Sequence, residues 1–433
     1  MIDHTHAASA RSWLPSANVD GGDFPIQNLP LAVFRRAGSN EPWRGGVAIG
    51  DQVLDLAALA SAHRLAAPLQ AVVDAASHGE LNALMALGQP AWRTLRHGLF
   101  ELLESSGSAR DWLATCLIPM AQAEYTLPAR IGDYTDFYTS IHHALNIGKL
   151  FNLELSPSFK WLPTAYHGRS SSIGVSGQAF RRPNGQRLLA GHTEPDYGPC
   201  LKLDYELELG VFIGPGNALG ERIPLAEVDA HVFGLCLLND WSARDIQAWE
   251  MAPLGPFHAK NFATTISPWI VTMDALEPFR QAWTRPADDP QPLAHLDSAD
   301  NRERGALDIR LEVQLQTERM RQERAPPQAI SRTSFAHQYW SIGQMVAHHA
   351  AGGCNLQPGD LLGSGTISGP TLDQAGAMME LALAGRQPVT LDSGETRSFL
   401  QDGDAVVFKG WCEREGFARI GFGLNEGRVR PAL

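Results

Sequence analysis

Leu201-Lys-Leu-Asp-Tyr-Glu-Leu-Glu-Leu209 alternates apolar and polar residues and then runs into Val211-Phe-Ile213 with no alternation at all. A period of two is the pattern of a β-strand with one apolar and one polar face, and loss of alternation marks a strand end buried on both faces. Asp204, Glu206 and Glu208 therefore share a face, with the Cα atoms of Glu206 and Glu208 roughly 6.5–7 Å apart. Two carboxylates at that spacing either lie on a solvated strand face or pinch one cation. The buried continuation of the strand favours the second reading, because acidic groups leading into an apolar core need compensation.

A second strand-length apolar run, Phe233-Gly-Leu-Cys-Leu-Leu, ends in Asn239-Asp240, and a helix is expected to follow. Ser242-Ala-Arg-Asp245 has the spacing of a capping box for that helix. Arg244 and Gln247 are three residues apart, so they share a helical face beside Asp240. Further upstream, Asp133-Tyr-Thr-Asp-Phe-Tyr138 is followed by His142 and His143. His143 lies seven residues after Asp136, which on a helix returns to within about 20° of the same face. His142 points elsewhere and reads as a structural histidine. Asp136, Glu206, Glu208 and Asp240 together offer four oxygen donors with no Cys or His among them, a set that suits Mg²⁺ or Ca²⁺ and does not suit zinc. His143 would then be placed as a general base beside the ion.

Several further motifs, in one order along the chain, carry a resemblance. Ile131-Gly-Asp-Tyr-Thr-Asp-Phe-Tyr138, Tyr166-His-Gly-Arg169, Asp204-Tyr-Glu-Leu-Glu208, Asn239-Asp-Trp-Ser-Ala-Arg-Asp-Ile-Gln247, Pro253-Leu-Gly-Pro-Phe257, Thr265-Ile-Ser-Pro-Trp269 and Ser364-Gly-Thr-Ile-Ser-Gly369 resemble the fumarylacetoacetase family. The likeness extends over nearly the whole chain, from Ser12-Trp-Leu-Pro15 to the terminal Leu433. It implies a metal-dependent hydrolase that cuts a carbon–carbon bond in a β-diketone, turning 4-fumarylacetoacetate and water into fumarate and acetoacetate at the end of tyrosine and phenylalanine breakdown. It also implies a mainly β, α+β fold: a small N-terminal SH3-like β-barrel over residues 1–127, then a mixed β-sandwich roll over 128–433 that carries the site, in a homodimer.

By the same resemblance, Asp136, Glu206, Glu208 and Asp240 are metal ligands, with Lys260 and Thr264 near the metal. His143 and Glu380 activate water, Tyr138, Tyr166 and Thr366 contact substrate, and Arg244, Gln247 and Lys260 steady the leaving group. Two positions depart from the family pattern. Asn152 stands where the family usually has an arginine that grips a substrate carboxylate, and Met251 stands where it usually has a substrate-contacting tyrosine. Nearby, His258 replaces a more often apolar residue. Both departures remove a polar grip on one end of the substrate, so hydrolysis of a related acylpyruvate or diketone is the alternative. A decarboxylase or isomerase of the superfamily is a more distant one, since such relatives generally lack the N-terminal part. A catalytically silent binding paralogue would be expected to have lost a ligand or the base.

Composition excludes some partners. A net charge of −12 argues against nucleic acid and anionic membranes, and no apolar run reaches the ~20 residues that span a bilayer. Met1-Ile-Asp-His-Thr-His lacks the features of a signal peptide, and the five cysteines (116, 200, 236, 354, 412) show no paired metal spacing and in their odd count read as reduced thiols, so a cytoplasmic enzyme is expected, with a small diketo acid as the substrate that the resemblance implies. Val47-Ala-Ile and Val53-Leu-Asp-Leu56 flank a hairpin at Gly50-Asp51. Trp92, Leu95, Leu99 and Leu102 sit at helical spacing as core. Residues 285–304 and 320–332 read as exposed loops.

Overall fold

The computed structural model describes residues 1–106 and 109–433. The expected hairpin forms: Arg44–Ile49 pairs antiparallel with Gln52–Asp55 around Gly50, whose φ of 58° suits glycine. These strands belong to a five-stranded antiparallel sheet in the order Leu117–Pro119, Gln52–Asp55, Arg44–Ile49, Leu31–Arg36, Ala123–Thr126. The Gln89–Leu103 helix shares a core with it, with Trp92, Leu95 and Leu99 buried as their spacing requires and Leu102 only partly buried.

The larger part of the chain is built on an eight-stranded mixed sheet. Its central path runs Thr164–His167, Tyr134–Tyr138, Leu361–Gly363, Leu207–Ile213, Val232–Asp240, Thr264–Ile266, Ile173–Val175. A second sheet, in the order Gln328–Ser334, Arg310–Gln316, Ala405–Cys412, Ile420–Arg430, Gln178–Arg181, packs against one face of it. Alternation along the strands assigns the two faces. Leu203, Tyr205, Leu207, Leu209, Val211 and Ile213 enter the core shared with the second sheet, where Tyr205 meets Phe408 edge to face at 5.8 Å. Phe212, and Phe233, Cys236 and Leu238 from the neighbouring strand, enter the core shared with the N-terminal segment, where Trp92 lies 5.1 Å from Phe233. The eight-stranded sheet is thus sandwiched, so even its acidic positions lie indoors: every residue from Leu203 to Ile213 is buried. A solvated strand face is excluded.

Three local expectations are corrected. Ser242 does not cap the Arg244–Glu250 helix. It lies in a short strand, its hydroxyl donates to the Asp240 carbonyl at 3.2 Å, and Asp245 instead accepts from the Leu201 N–H at 2.7 Å. Tertiary partners outbid the local capping interaction. Residues 285–304 contain a helix, Ala299–Arg304, with Asn301 buried. Within 320–332 the chain closes one helix, Glu318–Gln322, and enters the strand Gln328–Ser334. Proline and charge mark their exposed flanks, and the paired backbone lies between. Among the described residues no helix is long and apolar enough to cross a membrane, and all five cysteines are free thiols.

Candidate active site

Four adjacent strands bring the carboxylates together. Asp136 lies beside Gly363, which lies beside Gly210 on the Leu207–Ile213 strand, while Glu208 pairs with Leu238, two residues before Asp240. Asp136, Glu208 and Asp240 continue the face that, a few residues away, packs against the N-terminal segment. Where that cover ends, Asp136, Glu206, Glu208 and Asp240 converge, with one oxygen from each lying within 4.8 Å of the others, and all four are buried. A surface trio of Asp3, His4 and His97 is also close-set, but there Asp3 is engaged in capping the adjoining turn.

Gly363 makes the convergence possible. A Cβ at this position would stand 2.8 Å from Glu208 Oε2, 2.9 Å from Asp136 Oδ1 and 2.9 Å from Tyr134 Oη. Two residues on, Gly365 has φ of 76°, and its N–H donates to Glu208 Oε2 at 2.9 Å. Gly363→Ala is expected to weaken Mg²⁺ binding by about tenfold or more, the range typical of disturbed outer contacts of a metal site, with the fold retained. Calorimetric Mg²⁺ titration beside far-UV circular dichroism tests this, and unchanged affinity would refute it.

The electrostatics of the cluster call for a cation. Lys260 Nζ donates to Glu206 and, at 2.7 Å, to Asp240. Arg244 is shared between Asp204 at 2.9 Å and Glu206 at 2.6 Å. Five buried carboxylates thus face two cations. Burial alone would raise Glu206, but Lys260 and then Arg244 hold it below the usual carboxylate range. For Asp136, burial and then the Asp240 carboxylate push the pKa well above that range, and for Glu208 burial, Asp136 and Asp240 do the same. Asp136 Oδ1 and Glu208 Oε1 are buried with no hydrogen-bond partner. Orphaned carboxyl oxygens in an all-oxygen site fit a hard divalent ion.

Lys260 borders the carboxylate cluster and is not suited to ligate an ion itself. Burial would lower its pKa, yet Asp240 and Glu206 raise it above the ordinary lysine value, and an ammonium has no lone pair for a metal. Thr264 donates to Asp240 Oδ1 at 2.8 Å and Tyr166 donates to Asp240 Oδ2 at 3.0 Å, so both orient that carboxylate.

His143 arrives by a different route from the one its spacing suggests. Asp136 is on a strand, Tyr134–Tyr138, and His143 is in the first turn of the Ile141–Phe151 helix. The seven-residue helical argument therefore does not apply. A tight turn does the work, fastened by Ser140 accepting from the His143 N–H at 3.2 Å and donating to the Ser368 carbonyl at 3.1 Å. His143 Nδ1 lies 2.6 Å from Glu380 Oε1. A carboxylate accepts, so the ring proton sits on Nδ1. Glu380 is itself held by Ser368 Oγ at 2.9 and 3.0 Å and by Asn146 Nδ2 at 2.7 Å. Tyr138 packs edge to face on the imidazole at 5.4 Å. His142 turns away and packs against His337 at 6.0 Å.

These groups open on one cavity of about 840 Å³, lined by Asp136, Tyr138, His143, Tyr166, Glu206, Arg244, Gln247, Met251, Lys260 and Thr366 among others. Glu380 stands behind His143, fully buried. Arg244 Nη1 donates to Gln247 Oε1 at 3.2 Å, as their spacing anticipates, while Arg244 Nη2 is buried and unpartnered. Asn152 does not line the cavity. It ends the Ile141–Phe151 helix in the left-handed conformation (φ 55°, ψ 45°) and is exposed, a position that suits asparagine. Met251 lines the cavity and is half exposed. His258 is exposed and stacks on Phe257.

The residues that hold the others carry no signal of that role in the sequence. Asp204 shares the acidic face but reaches inward, accepting from the Met378 and Met379 N–H groups at 2.8 and 3.1 Å and from Arg244. It ties the Met378–Leu381 helix, which carries Glu380, to the helix of Arg244. The polar alternation flagged Asp204 without telling ligand from tether.

Family models match most of the chain. Residues 134–429 match the fumarylacetoacetate (FAA) hydrolase C-terminal model and residues 27–128 the fumarylacetoacetase N-terminal model. The chain belongs to the fumarylacetoacetase family. Within it, fumarylacetoacetases of Bos taurus and Homo sapiens are each 48% identical over 430 residues, spanning 98% of this chain and 99% of those proteins. That of Oryza sativa subsp. japonica is 44% identical over 422 residues, 95% of this chain and 96% of its own length. A solved fumarylacetoacetate hydrolase from psychrophilic Exiguobacterium antarcticum shares the fold, with a TM-score of 0.50 at 15% identity, over 93% of this chain and 99% of that one.

Proposed function

We infer that this chain hydrolyses 4-fumarylacetoacetate to fumarate and acetoacetate, the reaction its near full-length relatives are named for. The observation that carries the reading is that His143, paired with Glu380, lines the same cavity as Asp136 and Glu206 of the four-carboxylate cluster. In the family this is the last step of tyrosine and phenylalanine breakdown.

Asp136, Glu206, Glu208 and Asp240 would hold Mg²⁺ or Ca²⁺. When bound, the ion supplies Lewis-acid polarisation of the diketone oxygens. The protein's own groups account for the rest. His143, with Nδ1 held by Glu380, offers its other ring nitrogen to the cavity and takes a proton from water attacking the fumaroyl carbonyl. Glu380 stabilises the imidazolium that results, as in a serine-protease triad. The hard step is the departure of acetoacetate with the electron pair of the broken carbon–carbon bond. Arg244 Nη2, Gln247 and the Lys260 ammonium are donors on the cavity wall for the negative charge that develops, and loss of one such donor typically costs about 3–4 kcal/mol of barrier. Tyr138, Tyr166 and Thr366 complete the wall around the reacting carbons.

The division at 127/128 belongs to the same reading, as does the SH3-like description of the first part. The five-stranded antiparallel sheet and the change of family model between residues 128 and 134 support both. A homodimer in the cytoplasm is the setting we propose for it.

Met251, on the cavity wall where the family usually carries tyrosine, favours one second reading, an acylpyruvate or related diketone hydrolase with an altered tail. Purified enzyme assayed with Mg²⁺ on fumarylacetoacetate and on acylpyruvates separates the two. The expected result is a higher kcat/KM on fumarylacetoacetate, abolished by chelation and restored by Mg²⁺ or Ca²⁺. Higher kcat/KM on an acylpyruvate would transfer the assignment.

A further inference from the structure

We propose that Lys202 forms a carboxylate-binding subsite at the cavity wall and is a specificity-determining residue for dicarboxylic substrates. The inference rests on the functional reading above. 4-Fumarylacetoacetate carries a carboxylate at each end and the reacting diketone between them. A site that seats the diketone over the acidic cluster must therefore give at least one terminal carboxylate a cationic partner or leave it in water.

Three lysine or arginine side chains line the cavity: Lys202, Arg244 and Lys260. Arg244 is paired with Asp204 and Glu206, which leaves only Nη2, the donor assigned above to the leaving group, and Lys260 is paired with Glu206 and Asp240. Among the described residues Lys202 makes no ion pair, and it is exposed on the wall. Asn152, between the wall residues Phe151 and Leu153, is absent from the wall and carries no charge.

The backbone of Lys202 is fixed although its side chain is free. Its carbonyl accepts from the Arg244 N–H at 2.9 Å, and its N–H donates to Asp245 Oδ1 at 3.4 Å. The residue is thus tied to the first turn of the helix that presents Arg244 and Gln247. Its Nζ lies 6.0 Å from the centre of the Phe399 ring, a second wall residue, and Leu201 and Leu189 add further apolar wall. An ammonium on an anchored stem, surrounded by apolar surface, is a point charge suited to a carboxylate arriving behind the diketone.

The test uses the full-length, Mg²⁺-loaded enzyme and two variants, Lys202→Gln and Lys202→Arg. Lys202→Gln is expected to raise KM for fumarylacetoacetate by about fivefold, the upper range for an exposed ion pair, with a smaller change in kcat. Lys202→Arg is expected to restore KM. The parent KM should rise with salt, and that of Lys202→Gln should rise less. A Lys202→Gln KM equal to that of the parent overturns the subsite. Failure of the parent to cleave fumarylacetoacetate would instead overturn the functional reading, and calorimetric titration with fumarate then decides the subsite on its own. Weaker fumarate binding by Lys202→Gln sustains it, and equal binding, or none by the parent, overturns it.

Discussion

Glu380→Gln is expected to cost nearly as much activity as removing His143 itself. His143→Ala deletes the only imidazole on the cavity wall among the described residues and is expected to lower kcat by about 10⁴-fold, the upper range for a positioned proton acceptor. Glu380→Gln acts through orientation. Ser368 and Asn146 both donate to the Glu380 carboxylate, so a glutamine there would turn its oxygen toward the Asn146 amide and its NH₂ toward His143 Nδ1. The imidazole would then have to accept at Nδ1 and carry its proton on the other nitrogen, where it cannot act as a base. A carboxylate-to-amide change behind the imidazole of a serine protease costs about 10⁴ for this reason. Steady-state kinetics with Mg²⁺ titration alongside checks both variants. Near-parental turnover in either, or loss of metal binding in His143→Ala, would remove the pair from the chemistry.

Local pattern carried a good deal of this structure and failed where distance along the chain took over. Alternation through residues 203–213 was enough to find extended chain and its acidic face, because a period of two survives any tertiary context that keeps the chain extended, but it did not show the division into two strands, Leu203–Asp204 and Leu207–Ile213, in different sheets. The same alternation could not say that both faces are indoors, since the N-terminal segment that covers one of them is far away in sequence. The helical argument for His143 reached a residue on the cavity through the wrong geometry: nothing local distinguished seven residues of helix from a strand, a turn and a new helix. Glu380 lies 237 positions from its histidine, and no periodicity links the two. Glycine at 363 is silent as a pattern and becomes meaningful only when the carboxylates on either side of it are known. The capping box at Ser242–Asp245 misled because both side chains had stronger partners elsewhere in the fold.

Glu208→Gln and Asp136→Asn are expected to abolish the response to Mg²⁺ and, in the metal-free protein at neutral pH, to raise stability. Each variant is neutral without the proton that the buried carboxyl must take up on folding in a cluster where carboxylates outnumber cations, and leaving such a charge buried and unpaired would be strongly destabilising. Asp136 and Glu208 carry folded-state pKa values pushed above the usual carboxylate range by burial and by neighbouring carboxylates. The metal-free folded state therefore holds protons that the unfolded state has released above about pH 4. Its stability falls as pH rises from there through the raised folded values. A divalent ion replaces those protons, so its stabilising effect should grow with pH over the same window. A ligand at one hundred times its Kd contributes about 2.7 kcal/mol, and the neutral variants should forgo most of it. Thermal melts of parent and variants, chelated and Mg²⁺-loaded, from pH 5 upward, measure this directly. An Mg²⁺ response that is equal in parent and variants, or one that shrinks as pH rises, would mean that the buried carboxylates are not an ion site.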